Sequence, residues 1–207
     1  MARELGWAHL DSGALYRALT IAALDNLGGV TEGMSAERVV ALAEDLPVRL
    51  VLAGKEFRPE VAGVGVGEVI RSERVTGAVS TIAALPEVRR WVNARQREAA
   101  ASYPSGVVVD GRDIGTVVFP DARLKIFLTA TPEARARRRL LQRGEVAGAT
   151  AVAREAASLA ARDRADASRP VAPLRAADDA VELDTTNLSL AEQVAQVVAL
   201  ARSEARG

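Results

Sequence analysis

Apolar and polar positions along this chain switch between a period of two and a period near 3.6, predicting strands and helices in turn. Residues 2–5 read as the last turn of a helix stopped by Gly6, and Trp7 to Leu10 as a short strand. From Ser12 to about Asn26, Leu15, Leu19, Ala22 and Ala23 recur on one helical face until Gly28-Gly29 ends the run. Ser35 caps a helix to Asp45, which Pro47 breaks. Val48–Leu52 alternates as a strand, Gly54-Lys55 turns it toward Phe57 and Val61, and Gly63–Gly67 reads as a loose hairpin strand. Helices over 68–84 and 86–102 follow, the second with Pro86 in its first turn.

Val107-Val108-Val109 is an unbroken β-branched run, the pattern of a buried parallel strand, and Leu124–Leu128 is a second. Pro132 starts a helix, Gly144 and Gly148 interrupt, and another helix is predicted at 150–165. Ala180–Leu183 is a third strand. Ser189 caps a last helix with Leu190, Val194, Val197 and Leu200 facing in. Strand–helix–strand alternation implies an α/β fold, with a parallel sheet covered by helices on both faces. The stretch from about 30 to 105 stands apart as an inserted subdomain.

Composition narrows the chemistry. At 207 residues, 49% apolar and 26% charged, the chain suits one α/β domain with a small insertion. Cations and anions balance at 27 each, so neither a nucleic acid nor a membrane surface is expected as partner. Only Lys55 and Lys125 are lysines; the other cations are arginines, the residue type that grips phosphate with a planar fork. There is no cysteine, which excludes disulfides and thiolate chemistry, and His9 is the one histidine. No signal-peptide core or membrane-length apolar run occurs, so a cytoplasmic monomer is the expectation. Trp7, Trp91 and Tyr103 are too scattered to form stacking platforms for single strands.

Three strings concentrate arginines, short hydroxyls and carboxylates. They are Leu10-Asp11-Ser12-Gly13-Ala14-Leu15-Tyr16-Arg17, Asp110-Gly111-Arg112-Asp113-Ile114-Gly115-Thr116, and Arg162 through Arg169. The first two fall at the carboxyl ends of predicted strands, where open parallel sheets bind ligands, so their side chains are expected to converge. Backbone amides at the Ser12-Gly13 helix start favour an anion, with Arg17 little more than a turn further on. Ser12 taken alone reads equally as a helix cap. Arg162, Asp166 and Arg169, spaced by four and three, stack on one helical face ahead of the rigid Pro170–Leu174 turn. Arg135, Arg137, Arg138 and Arg139 cluster on the helix before them. Ser80 and Arg89 say nothing by themselves.

These strings resemble the bacterial cytidylate kinases over essentially the whole chain. The resemblance implies a P-loop nucleoside monophosphate kinase-like fold: a core of residues 1–29 and 106–207, a lid at about 140–170, and a nucleotide-binding insertion at 30–105. It implies transfer of the γ-phosphoryl group of ATP to CMP or dCMP, with Mg²⁺ bridging the phosphates and no metal ligand assigned in the chain. Ser80, Arg89 and Asp113 would read the cytosine edge, Arg162 and Asp166 the ribose hydroxyls. Arg17, Arg112 and Arg169 would clamp the CMP phosphate with Ser12 nearby. Arg135, Arg138 and Arg139 would approach the ATP phosphates, and Arg112, Asp113, Arg138 and Arg139 are the candidate catalytic residues.

The resemblance also implies a strand, a Gly-rich loop ending in Gly-Lys-Ser/Thr, and a helix ahead of Leu10. No such string is present: Gly54-Lys55 lacks the upstream glycine and Lys125 falls in a strand. The expectation is a start placed too late, removing roughly 20 residues that include the central strand of the sheet. A CMP-binding protein without kinase activity is the alternative.

Overall fold

The computed structural model describes residues 1–31 and 33–204. They fall into two units, 2–111 and 112 onward, with Met1 grouped with the second.

In the first unit, a single turn α1 (Ala2–Leu5) ends at Gly6, whose φ of +74° makes the left-handed stop predicted for it. Then come β1 (Ala8–Asp11), α2 (Ser12–Asn26), α3 (Ala36–Asp45), β2 (Val48–Ala53), β3 (Glu56–Val61) and β4 (Val64–Gly65). A 3₁₀ turn at Val69–Arg71 leads into α4 (Glu73–Ala84), α5 (Pro86–Ala101) and β5 (Val107–Asp110). The strands run in the order β2-β3-β1-β5, with β4 on β3. β1 is parallel to both β3 and β5, while β2 and β4 add an antiparallel edge. The register sets Asp11 opposite Asp110, so two carboxylates end neighbouring strands.

α2 is apolar nearly all round because it is the core of this unit. Leu15 and Leu19 are fully buried among Val39, Ile70, Val75, Ile82, Val88 and Val92. Each such leucine stabilises the fold by roughly 1.5–3 kcal/mol relative to leaving it in water. Gly106 is required where the chain enters β5. Its φ is +108°, and a Cβ there would lie 2.9 Å from the Trp7 indole. Its carbonyl meanwhile accepts from the Ala8 amide at 3.0 Å.

In the second unit a π-helical turn at Ile114–Val118 precedes β6 (Ile126–Thr129), α6 (Pro132–Gln142), α7 (Ala149–Ala167), β7 (Val181–Asp184) and α8 (Leu190–Glu204). β6 and β7 pair in parallel, Ile126 opposite Val181. Thr131 caps α6, its hydroxyl accepting from Ala134 N at 3.3 Å, with Pro132 as first helical residue. Ala136 and Leu140 of α6 pack against Val152, Ala156 and Leu159 of α7. Among the described residues no helix is long and apolar enough to cross a membrane.

Some expectations need correction. Asp11, not Ser12, caps α2: its carboxylate accepts from Gly13 N at 2.9 Å, and Ser12 is the first helical residue. The Val107–Val109 run is half-buried, because among the described residues β5 pairs on one edge only. Leu190 is 74% exposed, since the buried face of α8 is centred on Val197, Val198 and Ala201. Residues 68–72 form the 3₁₀ turn and its flanks rather than α-helix. Arg169 lies beyond the end of α7 at Ala167, so it does not share that helix's face with Arg162 and Asp166. The π-helical turn has no counterpart in the predicted elements.

Candidate functional site

In the first unit the chemistry gathers where β1 gives way to α2. Asp11 Oδ1 holds the Gly13 amide, and its Oδ2 accepts from Arg71 Nη2 at 3.2 Å. A charged cap here satisfies one orphan amide and leaves the other first-turn amides at the positive end of the helix dipole. Ser12 is 6% exposed. Arg17 donates from Nη1 to the Ile70 carbonyl at 3.0 Å and to Thr76 Oγ1 at 2.9 Å, binding the 3₁₀ turn and α4 to α2.

Arg89, on α5, is only 4% exposed, and its guanidinium lies 5.6 Å from the centroid of the Tyr16 ring. Its Nη1 donates to the Ala83 carbonyl at 3.0 Å. An arginine buried this deeply against an aromatic face is a directed group rather than a solvated one. Ser80, by contrast, is an exposed residue of α4. On the neighbouring strands, His9 Nε2 and Asp110 Oδ1 are 2.7 Å apart. That hydrogen bond raises the histidine pKa, against the opposing effect of burial.

In the second unit Asp113 is 7% exposed at the head of the π-helical turn. Its carbonyl accepts from Val117 N at 2.9 Å and Val118 N at 3.2 Å. Gly115 lets the Lys125 stem pass, since a Cβ there would sit 3.1 Å from Lys125 Cδ. Lys125 Nζ in turn pairs with both oxygens of Asp179, at 2.7 and 2.9 Å.

Arg112, Arg162, Asp166 and Arg169 come together. Asp166 Oδ2 is 3.3 Å from Arg112 Nε, and Asp166 Oδ1 is 3.3 Å from Arg169 Nη2. Arg135 and Asp163 form a two-pronged pair, which lowers the aspartate pKa and raises that of the arginine. Glu155 bridges Arg139 Nε at 3.1 Å and Arg143 Nη2 at 3.0 Å. Arg162 differs from all of these. It is half-buried, and among the described residues it has no ion-pair partner. Burial first, and then the Arg112 charge beside it, push its pKa down.

Arg138 is set apart from that group. Its guanidinium donates to the carbonyls of Thr185, Thr186 and Leu188 and to Thr185 Oγ1, fastening α6 to the loop after β7. Sequence reasoning missed Asp163, Glu155, Arg71 and Gln96 as partners. Only the capping role of Asp11 had a local signal, an aspartate directly before a helical run. The others depend on pairings across long sequence separations.

The first unit ends two parallel strands in carboxylates beside a capped helix start, and the second gathers arginines around Asp166, side-chain chemistry found in α/β proteins that bind phosphates. The sequence model of the family described as cytidylate kinase matches residues 1–203. A cytidylate kinase of Streptomyces griseus is 47% identical over 202 residues, covering 97% of this chain and 84% of that protein. Those of Pseudomonas entomophila and Nitrosococcus oceani are 47% and 44% identical over 201 and 200 residues, covering 84% and 86% of their lengths. The chain belongs to the cytidylate kinase family. The nucleoside monophosphate kinase-like α/β fold and the kinase class expected from its sequence are borne out.

Proposed function

We propose that the chain binds CMP or dCMP and serves transfer of the ATP γ-phosphoryl group to it, giving CDP or dCDP. The observation that carries this reading is the gathering of Arg112, Arg162 and Arg169 about Asp166, whose two oxygens lie 3.3 Å from Arg112 Nε and Arg169 Nη2. Three guanidinium groups exceed the charge of that one carboxylate, and a nucleotide phosphate is the anion that membership of this family supplies.

In this reading Arg17, Arg112 and Arg169 hold the acceptor phosphate with Ser12 beside them, and Arg162 and Asp166 take the ribose hydroxyls. Ser80, Arg89 and Asp113 read cytosine, Ser80 and Asp113 accepting from its amino group. Uracil offers a carbonyl there and leaves those acceptors unpaired. Residues 30–105 form the insertion that closes on the base, and about 140–170 the lid. Arg135 and Arg139 exchange Asp163 and Glu155 for donor phosphates, while Arg138 shapes the loop after β7.

An oxygen of the acceptor phosphate attacks the γ-phosphorus in line. The bond from that phosphorus to its bridging oxygen breaks, and ADP leaves with the electron pair. The protein's contribution is positioning and neutralisation of charge by arginines. Mg²⁺ adds further charge neutralisation on the donor phosphates. Among the described residues no cluster of three or more histidine, cysteine or acidic side chains is placed to hold a metal ion.

The second reading is CMP binding without transfer. Calorimetric titration with CMP, dCMP and UMP, followed by incubation with ATP and Mg²⁺ and chromatography for CDP, separates the two. CMP binding with CDP formed supports transfer, and CMP binding without CDP supports the second reading. Equal affinity for CMP and UMP sinks both.

A further inference from the structure

A polar stripe runs through the apolar face of α5. Arg89, Asn93 and Gln96 recur at spacings of four and three and are all buried, Gln96 completely. Gln96 Nε2 donates to the Ser12 carbonyl at 3.0 Å, across 84 residues of sequence. Gln96 Oε1 is buried with no hydrogen-bond partner. A buried acceptor left unpaired carries a desolvation penalty that a leucine of similar volume would not. The amide is therefore a poor choice for filling space.

What Gln96 touches gives the reason. Ser12 is the first residue of α2, in the turn whose Gly13 amide is capped by Asp11 and which leads to Arg17. Seven residues before Gln96 on α5, Arg89 lies over Tyr16, four residues after Ser12 on α2. Two crosslinks therefore join α5 to α2, one a hydrogen bond at the start of α2 and one a stacked cation a turn further along.

We propose that Gln96 is a positioning residue. Its bond to the Ser12 carbonyl fixes the first turn of α2 against α5, and so sets the spacing of Ser12 and Arg17 from Arg89. The inference rests on the reading that Ser12 and Arg17 hold the nucleotide phosphate and Arg89 the base. Gln96 sets the geometry without touching the nucleotide.

The test is Gln96→Leu in the full chain, read three ways: CMP affinity by calorimetry, Tm, and hydrogen exchange of the Tyr16 amide without nucleotide. That amide is the intrahelical donor to the same Ser12 carbonyl. CMP affinity is expected to fall about five- to tenfold, Tm to stay level or rise, and the Tyr16 amide to exchange faster. Gln96→Glu adds a rescue: burial raises the carboxyl pKa, and the protonated acid can donate to Ser12. Its affinity relative to the unchanged protein should therefore recover as pH falls. Wild-type affinity in Gln96→Leu, or a lower Tm with affinity intact, overturns the proposal. Should the unchanged protein not bind CMP, the functional reading fails on its own. Tyr16 exchange then decides, and unaltered protection refutes the positioning role.

Discussion

The two units hold their candidate site residues by different physical means. In the first, Ser12, Arg89 and Gln96 are less than 10% exposed and are fixed by packing, one stacked ring and hydrogen bonds to backbone carbonyls, over a core built around Leu15 and Leu19. In the second, Arg112, Arg135, Arg139 and Arg169 are held by Asp163, Asp166 and Glu155, over a small cluster of Ala136, Leu140, Val152, Ala156 and Leu159. Neutral packing fixes geometry before a ligand arrives. An ion-pair network instead stores cations on carboxylates that an incoming phosphate can replace. The contrast separates side chains held in fixed geometry from cations that an incoming anion can take over.

The hardest blow to the first unit is Leu19→Ala. The side chain is fully buried in the middle of α2, so the variant should lose about 2–5 kcal/mol. Urea unfolding followed by tryptophan fluorescence measures this for the first unit alone, since Trp7 and Trp91 both lie in it. A loss below about 1 kcal/mol would mean that α2 is not the core element. Gly106→Ala comes next, at roughly 1–3 kcal/mol. The new methyl must push the Trp7 indole aside at a φ that disfavours any side chain. A shifted emission maximum in the folded state would show that the indole had moved.

For the second unit the corresponding blow is electrostatic. Asp163→Asn leaves Arg135 without its carboxylate and should cost about 1 kcal/mol, because both side chains are about one-third exposed. Adding salt to about 1 M, which shortens screening to roughly 3 Å, should act in the same direction. Limited proteolysis within 149–170 should speed up with salt while tryptophan-monitored unfolding of the first unit stays unchanged. Equal salt sensitivity in both would erase the contrast.

That contrast also explains what the sequence made legible. Helix α2 could be read because its apolar period is local, as could α3 from Ser35 to Asp45. Arg112 and Asp166 are 54 residues apart, so no local spacing rule joins them and only the fold does. Arg138 looked like one more member of an arginine cluster. Only tertiary structure sets it on the Thr185–Leu188 carbonyls. The exposed Leu190 has the same origin: helical period was legible, but the phase of the buried face depends on what packs against it. Gln96 left no local trace, because a glutamine on a helix is ordinarily solvated.

The finest test of the comparison is the His9–Asp110 ion pair, which joins the neighbouring strands β1 and β5 of the first unit. The hydrogen bond from Asp110 raises the His9 pKa, so the folded state favours imidazolium. The stabilisation is complete below the unfolded value of 6.5 and fades as pH rises through the higher folded value. His9 and Asp110 side chains are 40% and 64% exposed, so the effect should stay under about 1 kcal/mol. His9→Gln keeps a hydrogen-bond donor without the charge. The stability advantage of the unchanged protein over this variant should be greatest near pH 6 and should shrink toward pH 8 or so. His9 is the only histidine, so its ring protons give an unobstructed NMR titration. A midpoint at or below 6.5, with a stability difference flat in pH, would show that the His9–Asp110 pair does not stabilise the first unit.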